Sequence, residues 1–293
     1  MGINLGPNSY WIGTLFLGER VSVLEFQLFR LKVYPPKQGR LFAENKSRTE
    51  ILIDAIKGLP EAELRKGIIW HLGNLEFLDC CGCYFRLGRN AKSNIEVYED
   101  GNFIEEEFSI APYTHVILDA EIEICAIAKK PRLALTASGI AKKFMRLLNE
   151  SQKSTGVEFE AGEISDPKDF VAYLKQSFSI SQFWITFSRP NPIDQDEMYM
   201  KPFEKLLEEA NGRKGKAELK GEDLQHSTIE RLTKSAAKTG DDAGAVFKNA
   251  ERGPNIRKRL RGNPVTIKAE EPSDVKGINR LLKKIREEYH GIR

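Results

Sequence analysis

Five positive charges fall within the eleven residues 252–262, and no acidic residue interrupts them. The five are Arg252, Arg257, Lys258, Arg259 and Arg261. Arginine pairs with phosphate oxygens through two parallel hydrogen bonds, and cations that release counterions from a phosphate backbone gain affinity. This basic segment therefore predicts a contact with the backbone of a nucleic acid. A solvated surface loop is the alternative that the sequence leaves open.

A second, smaller group of cations, Arg213, Lys214 and Lys216, lies in a glycine-containing turn and would extend the first group if the fold brought the two together. The charge of the whole chain is also uneven. Residues 201–293 hold 22 Lys and Arg against 15 Asp and Glu, whereas residues 1–200 hold 23 against 27. Such an asymmetry indicates a polyanionic partner for the C-terminal half, either DNA or RNA. An acidic protein partner is the alternative.

An acid followed by a Glu-x-Lys sequence is typical of metal-dependent nucleases, and here the residues are Asp194, Glu218 and Lys220. In such a site the two carboxylates share Mg²⁺ while the lysine orients the attacking water. The segment between the two acids has a helical pattern, and Glu218 falls in a short polar strand. Elements of this kind would not hold the two carboxylates rigidly around one metal ion. A nuclease is therefore the alternative hypothesis, and a non-catalytic binding protein is preferred.

Three of the four cysteines, Cys80, Cys81 and Cys83, crowd into four residues. Neighbouring residues of a strand point to opposite faces, so the three cannot surround one zinc ion, and we predict small buried side chains in a strand. The crowding also disfavours disulfides, which indicates a reducing compartment. No glycine-rich nucleotide motif and no apolar run of the ~20 residues that a membrane span needs is found. We therefore expect no cofactor, no membrane contact and a cytoplasmic location.

The segment 183–188 is the clearest strand of the sequence. Phe183, Ile185 and Phe187 alternate with Trp184 on the opposite face, at the period of two that a strand requires. Two following prolines end the strand, because proline lacks the backbone donor that a sheet needs. This strand separates a β-rich, slightly acidic part of the chain from a helical, basic part.

The pattern of elements predicts an α+β fold. Residues 1–178 are expected to form an N-terminal antiparallel β-meander with flanking helices, which includes a hairpin turn at Asp100-Gly101 and an amphipathic helix over 136–149. Residues 179–293 are expected to form a smaller, basic α+β domain in which 252–262 is a connecting loop.

The order of elements carries one resemblance. Strands at Thr114–Asp119 and Ile124–Ile127 are followed by a helix at 140–148, and Arg189-Pro-Asn-Pro192 precedes a basic turn. This layout resembles the phage-exclusion protein RexA and related bacterial phage-defence proteins. The resemblance implies a cytoplasmic defence protein that binds DNA without strict sequence preference, as a homodimer. It supplies no catalytic residues, and the assignment of the segment 252–261 comes from its charge alone.

Overall fold

The computed structural model describes residues 22–36, 46–189 and 198–292. Within these ranges the chain forms six helices and fourteen strands, so the predicted α+β class is confirmed. The helices are α1 (Arg48–Lys57), α2 (Ala137–Ser151), α3 (Lys168–Gln176), α4 (Met200–Glu209), α5 (His226–Thr239) and α6 (Val275–Gly291). The strands are β1 (Val23–Tyr34), β2 (Glu61–Arg65), β3 (Ile68–Phe77), β4 (Gly82–Arg89), β5 (Ala91–Glu99), β6 (Asn102–Ile110), β7 (Tyr113–Asp119), β8 (Ile124–Ala128), β9 (Glu158–Glu163), β10 (Ser179–Ser188), β11 (Lys214–Lys220), β12 (Ala243–Lys248), β13 (Asn255–Arg259) and β14 (Thr266–Glu270).

The strands form three antiparallel sheets. The large sheet has eight strands, in the order β14-β1-β8-β7-β4-β3-β2, with β9 also paired to β1. The small sheet has four strands in the order β11-β10-β12-β13, and β5 pairs only with β6 in a separate two-stranded hairpin. The meander predicted for the N-terminal part is present, since β3, β4, β7 and β8 are consecutive neighbours apart from the inserted hairpin.

Local sequence explains where several elements begin and turn. The Ser47 hydroxyl accepts a hydrogen bond from the Glu50 backbone, and the Glu50 carboxylate accepts one from the Ser47 backbone, so α1 begins with a capping box. Asp100 and Gly101 have φ values of 49° and 84°, as a tight hairpin turn requires, and the predicted hairpin is confirmed. The predicted amphipathic helix corresponds to α2, which buries one apolar face.

Two hydrophobic clusters lie on the two faces of the large sheet. One contains Phe29 of β1 and Phe144 of α2. The other contains Phe26 of β1 together with Phe183 of the small sheet and Leu281 of α6. The second cluster therefore includes residues from both sides of the predicted domain boundary at 178/179, and Ile267 of β14 pairs with Phe26. The boundary itself stays a prediction.

The cysteines divide into two pairs. Cys83 is buried in β4, as predicted, and burial raises the pKa of its thiol to about 12. Cys125 is buried in β8. Cys80 and Cys81 instead lie in the turn that precedes β4, with their sulfur atoms 3.2 Å apart, so the strand prediction was wrong for these two. The turn forms because the Asp79 carboxylate accepts hydrogen bonds from the backbone of Cys81 and Gly82.

Metal-ligand clusters and membrane-spanning helices are both absent from the described ranges. They contain no group of three or more His, Cys, Asp or Glu residues placed to hold a metal ion. Among the helices given above, none has the length and apolar character that crossing a membrane would demand.

Candidate nucleic-acid interface

The small sheet has one face in the protein core and one face outside it. Phe183, Ile185 and Phe187 of β10 point into the core, where the Phe187 ring stacks on Phe203 of α4 with centroids 4.3 Å apart. Helix α5 contributes Ile229 to the same cluster. The alternation predicted from the sequence is therefore confirmed, and the opposite face of β10 carries Trp184.

Trp184 is covered by its neighbours on the sheet although it packs outside both hydrophobic clusters. Its exposed fraction is only 4%. The ring lies over Gly244 of β12, where an added Cβ atom would come within 2.0 Å of the indole. Glycine at this position is thus what lets the indole lie flat against the sheet.

Cations from both edges of the small sheet contact this ring. The Arg257 Cζ atom of β13 lies 4.5 Å from the centroid of the Trp184 ring. The Lys216 Nζ atom of β11 approaches the same ring to 6.0 Å from the other edge. Cations are attracted to the negative face of an indole, so the two basic groups predicted from the sequence meet across one aromatic side chain.

The segment 252–262 is not the connecting loop that was predicted, because its central five residues form the edge strand β13. Four of these five residues are polar or charged, so the sequence shows no alternation of apolar and polar residues that would indicate a strand. Charged edge strands are common because they resist pairing with other chains. Arg257 pairs with Val246 and Arg259 with Gly244, which places both on the Trp184 side of the sheet.

Lys258 lies on the opposite side of β13 from these two arginines. It pairs with the buried Ala245, and its Nζ atom lies 4.9 Å from the centroid of the Tyr173 ring. Arg252 and Arg261 flank the strand and are exposed. In the part of the chain that the structure describes, none of the five cations of 252–261 forms an ion pair. Their charges are therefore available to a partner.

The cations of the second group are bound to carboxylates of their own chain. Arg213 Nη1 lies 2.5 Å from a carboxylate oxygen of Glu158, and Lys214 Nζ lies 3.0 Å from one of Glu160. Lys216 is the least engaged, since its Nζ atom lies 3.5 Å from Glu218. A phosphate would compete with these carboxylates, so this edge contributes less net positive charge than the opposite one.

A family model described as a domain of unknown function (DUF4747) matches residues 95–286. The chain belongs to the DUF4747 family. The match includes the whole small sheet, both basic groups, the second half of β5 and the whole of β6. No curated protein matches the chain.

The alternative nuclease residues of this DUF4747 protein are only partly described. Asp194 lies outside the described residues. Glu218 lies on β11, with its carboxylate 2.9 Å from Lys220 Nζ and 3.5 Å from Lys216 Nζ. The hydrogen bond from Lys220 holds the pKa of Glu218 below its usual range. The carboxylate is thus already neutralised by two ammonium groups, and the metal site stays a prediction.

The aromatic ring at the centre of the interface was not assigned a role from the sequence. Trp184 was placed on the correct face of its strand, but nothing in 183–188 indicates which strands lie beside β10. Its cationic neighbours are 32 and 73 positions away in the DUF4747 chain. Only the pairing of β10 with β11 and β12, and of β12 with β13, brings them together.

Proposed function

We propose that this DUF4747 protein binds nucleic acid, with DNA as the expected ligand, through the Trp184 face, defined here as Trp184 with Arg257, Arg259 and Lys216. The observation that carries the proposal is the stacking of Arg257 on Trp184, beside a strand whose cations have no ion-pair partner among the described residues. Cations of this kind bind phosphates, and an aromatic ring between them is suited to base stacking.

The dimensions of the small sheet support this proposal. Three strand spacings, together about 14 Å, separate β11 from β13. A single strand of nucleic acid fits between two such edges, with phosphates near the cations and bases toward the indole. Arg257 would exchange its contact with the ring for a phosphate. Phosphate contacts and stacking carry little sequence information, so binding without strict sequence preference is expected.

The resemblance to phage-exclusion proteins supplies the biological setting of the proposal. A protein that binds DNA without sequence preference in the cytoplasm would encounter incoming phage DNA. We propose binding without catalysis as its role in anti-phage defence.

A homodimer is part of the same proposal, and the hairpin of β5 and β6 supports it. One face of this hairpin carries Ile95, Ile104, Phe108 and Ile110, which are each 37–48% exposed, together with Glu106, which pairs with Ile95. A two-stranded hairpin by itself is only marginally stable in water, so an apolar face of this kind favours a covering partner. Two copies that pack these faces together would cover both hairpins and leave the Trp184 faces free.

The test of the proposed function is a salt series of binding. Fluorescence anisotropy with a labelled single-stranded oligonucleotide and its duplex should give an affinity that falls linearly with log[salt]. The triple variant Arg257→Ala, Arg259→Ala, Arg261→Ala should weaken binding to all sequences alike. Lys283→Ala is the matched control, because this exposed lysine lies on α6 and pairs with Glu287 at 3.8 Å.

Three results would contradict the proposal. If the chain does not bind the oligonucleotides, or binds them with an affinity that does not depend on salt, the nucleic-acid proposal is contradicted. Equal binding to an acidic polypeptide would favour a protein-interaction module for an acidic partner. Cleavage of DNA in the presence of Mg²⁺ or Mn²⁺, abolished by Glu218→Ala, would favour the nuclease.

A further inference from the structure

A pocket lies where β1 of the large sheet approaches β10 of the small sheet. Its volume is about 310 Å³. Its buried lining includes Lys32, Ser188 and Asp241, and its exposed lining includes Lys214 and Arg261. Pockets of this size accommodate small organic ligands. Because Lys214 and Arg261 lie next to the Trp184 face, the pocket opens beside the proposed nucleic-acid interface.

The buried lining is a network of three polar side chains from distant parts of the chain. The Lys32 ammonium donates to the Ser188 hydroxyl, and that hydroxyl donates to Asp241 Oδ1 at 2.7 Å. Lys32 Nζ also lies 3.3 Å from Asp241 Oδ1. The side chains of Lys32 and Asp241 are only 6% and 8% exposed. Burial lowers the pKa of Lys32, and the neighbouring Asp241 opposes that shift.

This network leaves two carboxylate oxygens without donors. Asp241 Oδ2 and Asp242 Oδ1 are buried, and neither has a hydrogen-bond partner among the described residues. Both aspartates line the pocket. A buried acceptor without a donor costs free energy, so two such acceptors on consecutive residues indicate a ligand that supplies donors.

The exposed lining has the opposite character. Arg261 has no ion-pair partner in the described ranges, and Lys214 is paired with Glu160 at 3.0 Å while its side chain remains 64% exposed. An anionic group at the mouth of the pocket would lie near both cations. The pocket thus combines acceptors inside with cations at its mouth, which fits a ligand with N–H donors at one end and an anion at the other.

We propose that this pocket binds a guanine nucleotide unit, with the carboxylates of Asp241 and Asp242 accepting from the base and Lys214 and Arg261 contacting the phosphate. The choice of a nucleotide rests on the proposed nucleic-acid function. Guanine offers two adjacent donors, N1–H and the N2 amino group, on one edge. Uracil and thymine offer a single N–H between two carbonyls, which would meet the carboxylates unfavourably. The unit would be either a free nucleotide or an unpaired guanine of a bound strand.

Isothermal titration calorimetry of the full chain with GMP and UMP tests the proposal. We expect GMP to bind at least about tenfold more tightly than UMP, the ratio expected for one or more hydrogen bonds to a charged acceptor. Asp242→Asn should reduce the affinity for GMP about tenfold, because the variant loses the negative charge and can turn its own NH2 group toward the N–H donors of guanine. Arg261→Ala should weaken the binding of GMP more than the binding of guanosine, because guanosine lacks the phosphate that Arg261 would contact. Lys283→Ala should change neither affinity.

The variants are interpreted only if their thermal unfolding matches that of the parent chain, and Arg261→Ala, at an exposed position, remains informative if Asp242→Asn unfolds. Equal affinities for GMP and UMP, or no binding of GMP at millimolar concentration, would overturn the pocket proposal. Guanine-selective binding of GMP without any binding of DNA would support the pocket and overturn the Trp184-face proposal. Comparison of GMP with a guanine-containing oligonucleotide separates the free nucleotide from the strand as its source.

Discussion

The guanidinium carbon of Arg257 lies 4.5 Å from the centroid of the Trp184 ring, although 73 positions separate the two residues. The contact reaches from the edge strand β13 across β12 to β10, and it passes over Gly244 of β12. It places a cation that has no ion-pair partner among the described residues over an indole that is only 4% exposed. Under the proposed function, a base would therefore reach the ring only after the guanidinium moves onto a phosphate.

Substitution of Arg257 should separate the charge of this residue from its stacking. Arg257→Ala removes one phosphate contact, so the slope of log K against log[salt] should become less steep by about 0.7 for a single strand. Arg257→Lys keeps the charge but loses the planar stacking, so its slope should stay unchanged while its affinity falls. Anisotropy titrations at several salt concentrations measure both. Equal slopes for the parent and Arg257→Ala would show that Arg257 contacts no phosphate.

Gly244→Ala should disturb the position of Trp184. The added Cβ atom would come within 2.0 Å of the indole, so the ring must move, and overpacking of this kind costs about 1–3 kcal/mol. Chemical denaturation should show a lower free energy of unfolding, and tryptophan fluorescence should report a more exposed ring. Gly73→Ala on β3 is the matched control, because nothing lies within 4 Å of its added Cβ atom. A loss of stability in the control as large as in Gly244→Ala would contradict this account.

Stability should fall below about pH 6.5 because of His115. Its Nδ1 atom lies 2.9 Å from the Tyr84 hydroxyl and its Nε2 atom 3.0 Å from Glu271, and burial lowers the pKa of the imidazole from 6.5. A histidine whose pKa is lowered by folding is kept neutral in the fold. Its contribution to stability is therefore complete above the unfolded pKa and is lost as the pH falls toward the folded pKa.

Denaturation midpoints measured between pH 8 and pH 5 should show this loss, and His115→Gln should flatten it. His290→Gln, at an exposed position on α6, should keep the pH dependence of the parent chain. A parent chain whose stability does not change across this range would contradict the assignment.

A charge on the apolar face of the hairpin should prevent association of two copies. Phe108→Glu removes an apolar ring and adds a second carboxylate to the one that Glu106 already places beside Ile95, so sedimentation velocity should show the proposed dimer for the parent chain and a monomer for the variant. Phe103→Glu is the control, because Phe103 is 83% exposed and pairs with Tyr98 on the other face of the hairpin. A monomeric parent chain would contradict the homodimer, and a dimer that Phe108→Glu retains would contradict the hairpin face as its interface.

The elements that depend on local chemistry were predictable from the sequence. The alternation of Phe183, Ile185 and Phe187 fixed the core face of β10, and Asp100-Gly101 fixed the hairpin turn, because both depend on neighbouring residues alone. The charge of 252–261 was equally evident. Its strand structure was missed because an edge strand exposed to solvent needs no apolar alternation, and only the hydrogen bonds to β12 define it.

The candidate sites depend on contacts that only the tertiary structure decided. Lys32 lies 156 positions from Ser188 and 209 from Asp241, and no local pattern links these residues. The order of strands in the small sheet placed Arg257 on Trp184, and the approach of β1 to β10 formed the pocket. The sequence by itself determined which side chains are charged and which faces are apolar, because these properties follow from residue types and local periodicity. The tertiary structure determined which of these groups meet, because burial of the shared core selects one set of long-range pairings.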